Sequence, residues 1–227
     1  MAQTLKSKTI LITSGPTRAA IDAVRYLSNR STGRLGAEIA QEAVRRGARV
    51  IFVYGEGSKL PDVRDDVEAA GLVLCPVETV GDVGFALESE LSGDRVDAVI
   101  HAMAVLDYVP AAPSEGKVAS GRSEWNLRLV PTPKIIPRIK ELSPNTVLVG
   151  FKLESGRTED VLITAAVNLA ASSGAELVVA NDITRITGER HPALLVDTGG
   201  RVISRPGTKA EIAGRLCDWL SERLSAK

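Results

Sequence analysis

Thr9-Ile10-Leu11-Ile12-Thr13-Ser14-Gly15-Pro16 sets the pattern of the chain: a β-branched run that a turn stops short. Residues 33–46 change to helical spacing, with Leu35, Ile39, Ala43 and Val44 on one side, and Gly47 supplies a left-handed closing residue. Residues 49–54 form the next strand, so the opening reads as a strand–helix–strand unit. The alternation continues through strand 72–77, helix 80–91, strands 98–104 and 146–150, helix 158–173 and strand 176–180. This predicts an α/β fold: a doubly wound, mostly parallel, Rossmann-like sheet with its ligand crevice at the carboxyl ends of the strands.

Two stretches break the alternation. Residues 107–133 pass from a Pro/Ala/Ser/Gly-rich run into Trp125-Asn126-Leu127-Arg128-Leu129-Val130, an apolar/polar alternation. Residues 193–204 read as a hairpin around Asp197-Thr198-Gly199-Gly200. Isolated hairpins are marginal in water. The two are therefore expected to pair with each other as a small β dimerisation subdomain, segments 108–133 and 191–207 of one domain spanning 1–227. A twofold axis would let Trp125, Leu127 and Leu129 bury each other in a homodimer. The last helix opens with Thr208-Lys209-Ala210-Glu211, a capping box, and carries the core stripe Ile212, Leu216, Trp219, Leu220 and Leu224.

Hydrophobic residues make up 44% of the 227 but aromatics only 4%, so Val, Ile, Leu and Ala must build the core, as in strands buried on both faces. Lys plus Arg (28) equals Asp plus Glu (28), which lacks the basic surplus of a general nucleic-acid binder. No apolar run has the length of a membrane span, and the first residues have no signal-like apolar region, so a cytoplasmic protein is expected. Cys75 and Cys217 read as free thiols. His101 and His191 with two distant cysteines make no zinc set. His101 reads as a satisfied core histidine, and His191-Pro192 as a surface turn.

Several chemistries lack their residues. There is no G-x-S-x-G elbow and no G-x-x-x-x-G-K-S/T phosphate loop. Gly15-Pro16-Thr17-Arg18 is not a dinucleotide fingerprint, because proline removes an amide that a pyrophosphate would need. Tyr26 with Arg30, and Tyr108 with Ala112, do not make a Tyr-x-x-x-Lys pair. An NAD(P)-binding reductase, with Glu56 reading a ribose, is thus the second reading. Arg30-Ser31-Thr32-Gly33-Arg34-Leu35-Gly36 opens a helix with hydroxyls, amides and the positive dipole end, which suits an anion cradle. A plain Ser/Thr cap with a close helix–strand contact at Gly36 explains it equally well. In Ala102-Met103-Ala104-Val105-Leu106-Asp107-Tyr108, small residues admit a planar base, and Asp107 can accept from ribose hydroxyls or cap a turn.

Together these strings resemble the phosphopantothenate–cysteine ligase family, also called phosphopantothenoylcysteine synthetase. The S-G-P-T-R through S-T-G-x-x-G block lies at 14–36, A-V-x-D-Y at 104–108, a G-K element at 116–118, T-P-K-I-I at 132–136, G-F-K-L-E at 150–154 and V-A-N-D at 179–182. The resemblance implies a single-function ligase of coenzyme A biosynthesis acting in two steps. The carboxylate of 4′-phosphopantothenate attacks the α-phosphate of CTP, or ATP as the alternative, and cysteine's amine then displaces the nucleoside monophosphate. By resemblance, Asn29 hydrogen-bonds the reacting acyl oxygen, and Lys117 grips the triphosphate. Ser14, Gly15, Ser31 and Gly33 assist on the phosphates, and Mg²⁺ shields them with no protein metal ligand identified. Asp107 reads the ribose, while Ala104, Pro133, Lys134, Ile135, Ile136 and Phe151 shape the base pocket. Arg25 binds the phosphopantothenate phosphate, and Asn181 also meets substrate. Fused bacterial members carry two lysines before the A-N-D motif; residues 169–173 have none here, and Lys152 is expected to compensate. The family also implies a homodimer, and a phosphopantothenoylcysteine decarboxylase is expected as a separate protein.

Overall fold

The computed structural model describes residues 4–63, 71–93, 95–121 and 123–226. In chain order these form β1 (Thr9–Ser14), the short strands β2 (Arg18–Ala20) and β3 (Tyr26–Ser28), α1 (Arg34–Arg45), β4 (Arg49–Gly55), β5 (Leu72–Val77), α2 (Val80–Leu91) and β6 (Ala98–His101). They continue with β7 (Tyr108–Pro110), β8 (Leu129–Pro131), α3 (Ile135–Leu142), β9 (Val147–Glu154), α4 (Glu159–Ser173), β10 (Leu177–Asp182), a 3-10 turn (Ile183–Arg185), β11 (Ala193–Asp197), β12 (Val202–Ser204) and α5 (Lys209–Ser225).

The main sheet has the order β12-β11-β10-β9-β6-β1-β4-β5, parallel from β10 to β5. Side chains alternate between its faces with the period of two that strands impose. Ile10, Ile12, Val50, Phe52, Val147 and Val149 join the core under α1 and α5. Their neighbours Leu11, Ile51, Val53 and Leu148 join the core under α2, α3 and α4. Each such side chain contributes about 1.5–3 kcal/mol on burial, so the strands are held by both helical layers. The sheet is therefore the doubly wound, Rossmann-like α/β arrangement read from the sequence. Its strand order reverses between β1 and β6, which puts the crevice at their carboxyl ends.

Two antiparallel ribbons rise from that end: β2 with β3, and β7 with β8. The expected pairing of the two irregular segments with each other does not occur. The 193–204 hairpin joins the main sheet instead, with β11 antiparallel to β10 along five residue pairs. The reason is burial: Ala193 to Val196 are all buried, and β10 would otherwise leave an open apolar edge. Of the 125–130 alternation, only its end enters a strand, as part of Leu129–Pro131.

The expectations for His101 and for the two cysteines hold. His101 lies buried against Thr13, with Nδ1 2.8 Å from the hydroxyl oxygen, and burial pushes its pKa down to about 4. Cys217 is a buried free thiol, pushed up to about 12 by burial, and Cys75 is a half-buried free thiol. Thr208 caps α5 by accepting from the Glu211 amide, but the Glu211 carboxylate accepts from Gly207 rather than from the cap residue. Among the described residues no helix is long and apolar enough to cross a membrane.

Candidate active site

The crevice starts where β1 ends. Ser14 Oγ donates to the Gly33 carbonyl at 3.0 Å, which ties the strand end to the start of α1. A Cβ at Gly36 would lie 2.2 Å from Ser14 Oγ, so the close helix–strand contact read from sequence is real. The helix begins at Gly33 with φ of 71°, a left-handed conformation, and neither Ser31 nor Thr32 caps it. With no side-chain cap, its leading amides and positive dipole end stay available to an anion, which favours the cradle over the plain cap.

β1 and β6 continue side by side past their strand ends. Ala104 donates its amide to the Gly15 carbonyl at 2.8 Å, and its carbonyl accepts from the Thr17 amide at 3.3 Å. Asn29, just after β3, reaches across to this segment and donates from Nδ2 to the carbonyls of Ala104 at 3.0 Å and Val105 at 3.2 Å. The first and second sequence blocks are thus one site. Both Nδ2 bonds of the amide group assigned to an acyl oxygen go to backbone carbonyls, so one of them has to be given up for Nδ2 to meet a substrate oxygen. Asp107 follows at the crevice rim, exposed, and accepts from Lys134 Nζ. Thr132 binds the same turn twice, donating Oγ1 to Leu106 O at 2.6 Å and its amide to Asp107 O at 2.9 Å.

Sequence reasoning passed over Thr17, which holds this arrangement together. Its buried Oγ1 accepts from the Leu106 amide at 2.9 Å, and its carbonyl accepts from Ser28 Oγ at 2.9 Å, next to Asn29. A hydroxyl immediately after Gly-Pro was the available signal, since such residues bond nearby backbone in turns. Thr17→Val keeps the shape and strands the Leu106 amide in a buried position. The denaturant midpoint should fall by the equivalent of about 1–3 kcal/mol. An unchanged midpoint would mean that the amide finds another partner.

The remaining predicted residues divide. Lys117 is exposed on the 111–121 loop, between Ser114, which donates to Ile21 O at 3.0 Å, and Val118, whose amide donates to Asp22 Oδ2 at 3.2 Å. Arg25 does not stand open to a ligand: it pairs with Asp22 at 3.1 Å, donates to Val118 O and lies over the Trp125 ring. Pro133 and Lys134 are exposed at the start of α3, whereas Ile135 is buried in the core with Ile136 packed beside it. Phe151 packs with the opposite core layer, so the aromatic and the two isoleucines do not share a face of the sheet. Lys152 faces Glu154 at 3.2 Å.

Asn181 lies apart from this group. It is buried, its Nδ2 sits 3.0 Å from His191 Nε2, and it lines a cavity of about 270 Å³ where the end of β10 and the start of β11 meet Glu159 and Leu162 of α4. His191 is therefore not a surface residue as its His-Pro context suggested; the main-sheet hairpin carries it inward, and burial pushes its pKa down to about 4. Asp182, next to Asn181, accepts from the amides of Gly156, Arg157 and Thr184, with the Gly156 amide foremost in holding its carboxyl well below the usual range. Among the described residues, no three of His, Cys, Asp and Glu converge as a metal would require.

Residues 5–224 match the model of the DNA/pantothenate metabolism flavoprotein C-terminal domain. The coenzyme A biosynthesis bifunctional protein CoaBC of Thermococcus kodakarensis is 40% identical over 225 residues, which is 98% of this chain and 53% of that protein. The chain thus spans about half the length of the curated relatives it matches. The crystal structure of the DNA/pantothenate metabolism flavoprotein from Streptococcus pneumoniae superposes with a TM-score of 0.84 at 29% identity, covering 96% of this chain and 99% of that one. A crystal structure of the C-terminal domain of CoaBC gives a TM-score of 0.78 at 28% identity over the full length of both chains.

Proposed function

The chain belongs to the DNA/pantothenate metabolism flavoprotein C-terminal domain family, and from that premise we propose that it is a ligase of coenzyme A biosynthesis, joining 4′-phosphopantothenate to cysteine through an acyl-nucleotide. The observation that carries the reading is the Asn29 amide bound to the Ala104 and Val105 carbonyls beside Asp107. It places an amide side chain, small residues and an exposed carboxylate at the strand-order reversal, where such sheets bind ligands.

The phosphopantothenate carboxylate attacks the α-phosphorus and pyrophosphate leaves. The cysteine amine then attacks the acyl carbon, and the nucleoside monophosphate leaves with the former carboxylate oxygen. Since the nucleotide supplies the leaving group, the protein's work is to position reactants and neutralise charge. The uncapped start of α1, with Ser14, Gly15, Ser31 and Gly33 around it, receives phosphate oxygens. Lys117 adds a cation there, and Lys152 adds another in place of the lysines absent from 169–173. Asp107 accepts from ribose hydroxyls once a ligand competes with Lys134. Ala104, Pro133, Lys134 and Ile136 border the base and buried Ile135 supports that wall from the core, while Phe151, on the other face of the sheet, packs beneath β9 rather than in the same wall. Asn181, in its separate cavity beside His191, would meet only a part of the substrate that extends beyond the crevice. Mg²⁺ bound to the triphosphate would offset part of its charge; no acidic cluster among the described residues would hold it as a resident ion. CTP is the favoured nucleotide and ATP the alternative. Incubation with 4′-phosphopantothenate, cysteine and either nucleotide should yield phosphopantothenoylcysteine by mass spectrometry. No product with either would refute the reading.

Lys117→Gln keeps most of the side-chain length and removes the cation. Catalytic efficiency towards the nucleotide should fall by about 1.5–3 kcal/mol, the range for hydrogen bonds to charged groups. Unchanged kinetics at subsaturating nucleotide would leave Lys117 as a solvated loop residue.

The reductase reading required Glu56 on a ribose. Glu56 instead accepts from Arg18 at 2.9 Å, and Arg18 also lies 4.5 Å from the Tyr26 ring centroid. We also assign a homodimer to the 108–133 segment, with 191–207 at the open edge of the main sheet as its second element. We further assign the next reaction to a phosphopantothenoylcysteine decarboxylase, and the setting to the cytoplasm.

A further inference from the structure

Residues 112–121 and 123–127 carry no regular element, yet they include Lys117 and Trp125. A hydrogen-bond ladder does not set where this stretch lies. Much of what holds it comes from one turn, between β2 and β3. Asp22 sits in that turn with its side chain shielded from solvent. Its Oδ1 accepts from the amides of Val24 at 2.9 Å and Arg25 at 2.8 Å. Its Oδ2 accepts from the Val118 amide at 3.2 Å and faces Arg25 Nη1 at 3.1 Å. Arg25 then donates from Nη2 to the Val118 carbonyl at 3.3 Å, and its guanidinium carbon lies 5.0 Å from the Trp125 ring centroid. Both backbone polar groups of the residue after Lys117 are thus held by one ion pair.

The bonds to Oδ1 alone would make an ordinary aspartate turn, which needs no further partner. The bonds to Oδ2 go beyond that, since they reach a segment 96 positions away. A shielded carboxylate is costly without compensation, and here amides and a guanidinium supply it. The Val24 amide foremost holds the Asp22 carboxyl below its usual range, so the anion persists at neutral pH.

We propose that Asp22 is a positioning residue for nucleotide binding: with Arg25 it clamps Val118 and thereby fixes Lys117 over the phosphates. This rests on the nucleotide role given to Lys117 above. It also gives Arg25 a different task, as partner in the clamp rather than direct ligand of the phosphopantothenate phosphate.

Asp22→Asn separates the two sets of bonds. Its amide oxygen still accepts from the turn, while its NH₂ meets the Val118 N–H donor to donor and no longer carries charge opposite Arg25. Trypsin cleavage after Lys117 and hydrogen exchange at the Val118 amide should rise by about tenfold, because local opening becomes easier. The thermal midpoint should move by less than about 4 °C, the shift expected for a local rather than global loss. The KM for the nucleotide should rise about tenfold with kcat changed less than about twofold, and in a Lys117→Gln background the same substitution should add less than about twofold, since the two residues act through one contact. Asp22→Ser, which keeps a turn acceptor without the anion, gives the same readouts if the asparagine variant folds poorly. Unchanged cleavage and exchange would overturn the clamp. So would a rise in KM for phosphopantothenate alone, or effects of Asp22 and Lys117 that multiply in full. Faster cleavage with a nucleotide KM that neither substitution moves would instead sink the nucleotide role of Lys117, and the positioning role with it, while leaving the clamp standing.

Discussion

Asn29→Asp should still form the acyl-nucleotide but accumulate it, with acyl transfer to cysteine slowed by about 10²–10³-fold, the effect of losing one polar group matched to a developing oxyanion. The substituted carboxylate has no hydrogen to give to an acyl oxygen. It would also face the carbonyls of Ala104 and Val105, which now accept from Nδ2 at 3.0 and 3.2 Å. That repulsion turns the side chain out of the position that the second step needs. The first step is spared because the 104–106 segment keeps its other anchors, the Ala104 amide on Gly15 O and the Leu106 amide on Thr17 Oγ1. Mass spectrometry of a complete reaction should show the intermediate. Turnover at the wild-type rate would remove Asn29 from the chemistry.

Leu127→Asp should convert an active dimer into a monomer with reduced activity. Leu127 and Leu129 are 38% and 42% exposed in the single chain, Tyr108 on the neighbouring strand is 55% exposed, and Trp125 is 40% exposed beyond its contact with Arg25, so the ribbon and the segment leading into it present apolar surface to solvent. A twofold interface is self-complementary, and one aspartate per protomer puts two charges into the same apolar contact. The dimer dissociation constant should rise by about a hundredfold or more, as for a buried position at an interface centre. Sedimentation velocity distinguishes the outcomes. A wild-type protein that is monomeric and fully active at assay concentration would contradict the assignment and require another role for the ribbon.

The central sheet was legible because strands buried on both faces leave continuous apolar runs, and because Gly47 and the Thr208 cap mark where helices stop and start. Strand ends were less legible. β9 runs on to Glu154, four residues beyond the expected end, since pairing with β10 carries the half-polar stretch Phe151-Lys152-Leu153-Glu154 as far as Asp182. The partner of the 193–204 hairpin could not be read locally. Its alternation fits any sheet edge, and only the buried edge of β10 decides it. Pro and Ser bordering 18–28 hid the β2–β3 ribbon, whose strands are three residues each.

In the site, the motif blocks bring Asn29 against Ala104, and Asp107 against Lys134. What sequence missed were residues whose bonds span the chain. Thr17 reaches Leu106, and Asp22 reaches Val118, through hydroxyl and carboxylate contacts that no spacing rule encodes. His191 misled for the same reason: a His-Pro pair reads as a turn until the hairpin is known to lie inside the sheet.

In the proposed reaction the carboxylate is activated by bonding to a nucleotide's α-phosphorus. The products of one reaction, with 4′-phosphopantothenate, cysteine and either CTP or ATP, test it most directly. Phosphorus NMR should show pyrophosphate and nucleoside monophosphate appearing in equal amounts, and only when phosphopantothenate is present. Release of inorganic phosphate with a nucleoside diphosphate would instead mean attack at the γ-phosphorus, and no phosphate release with either nucleotide would mean that the chain does not perform this chemistry.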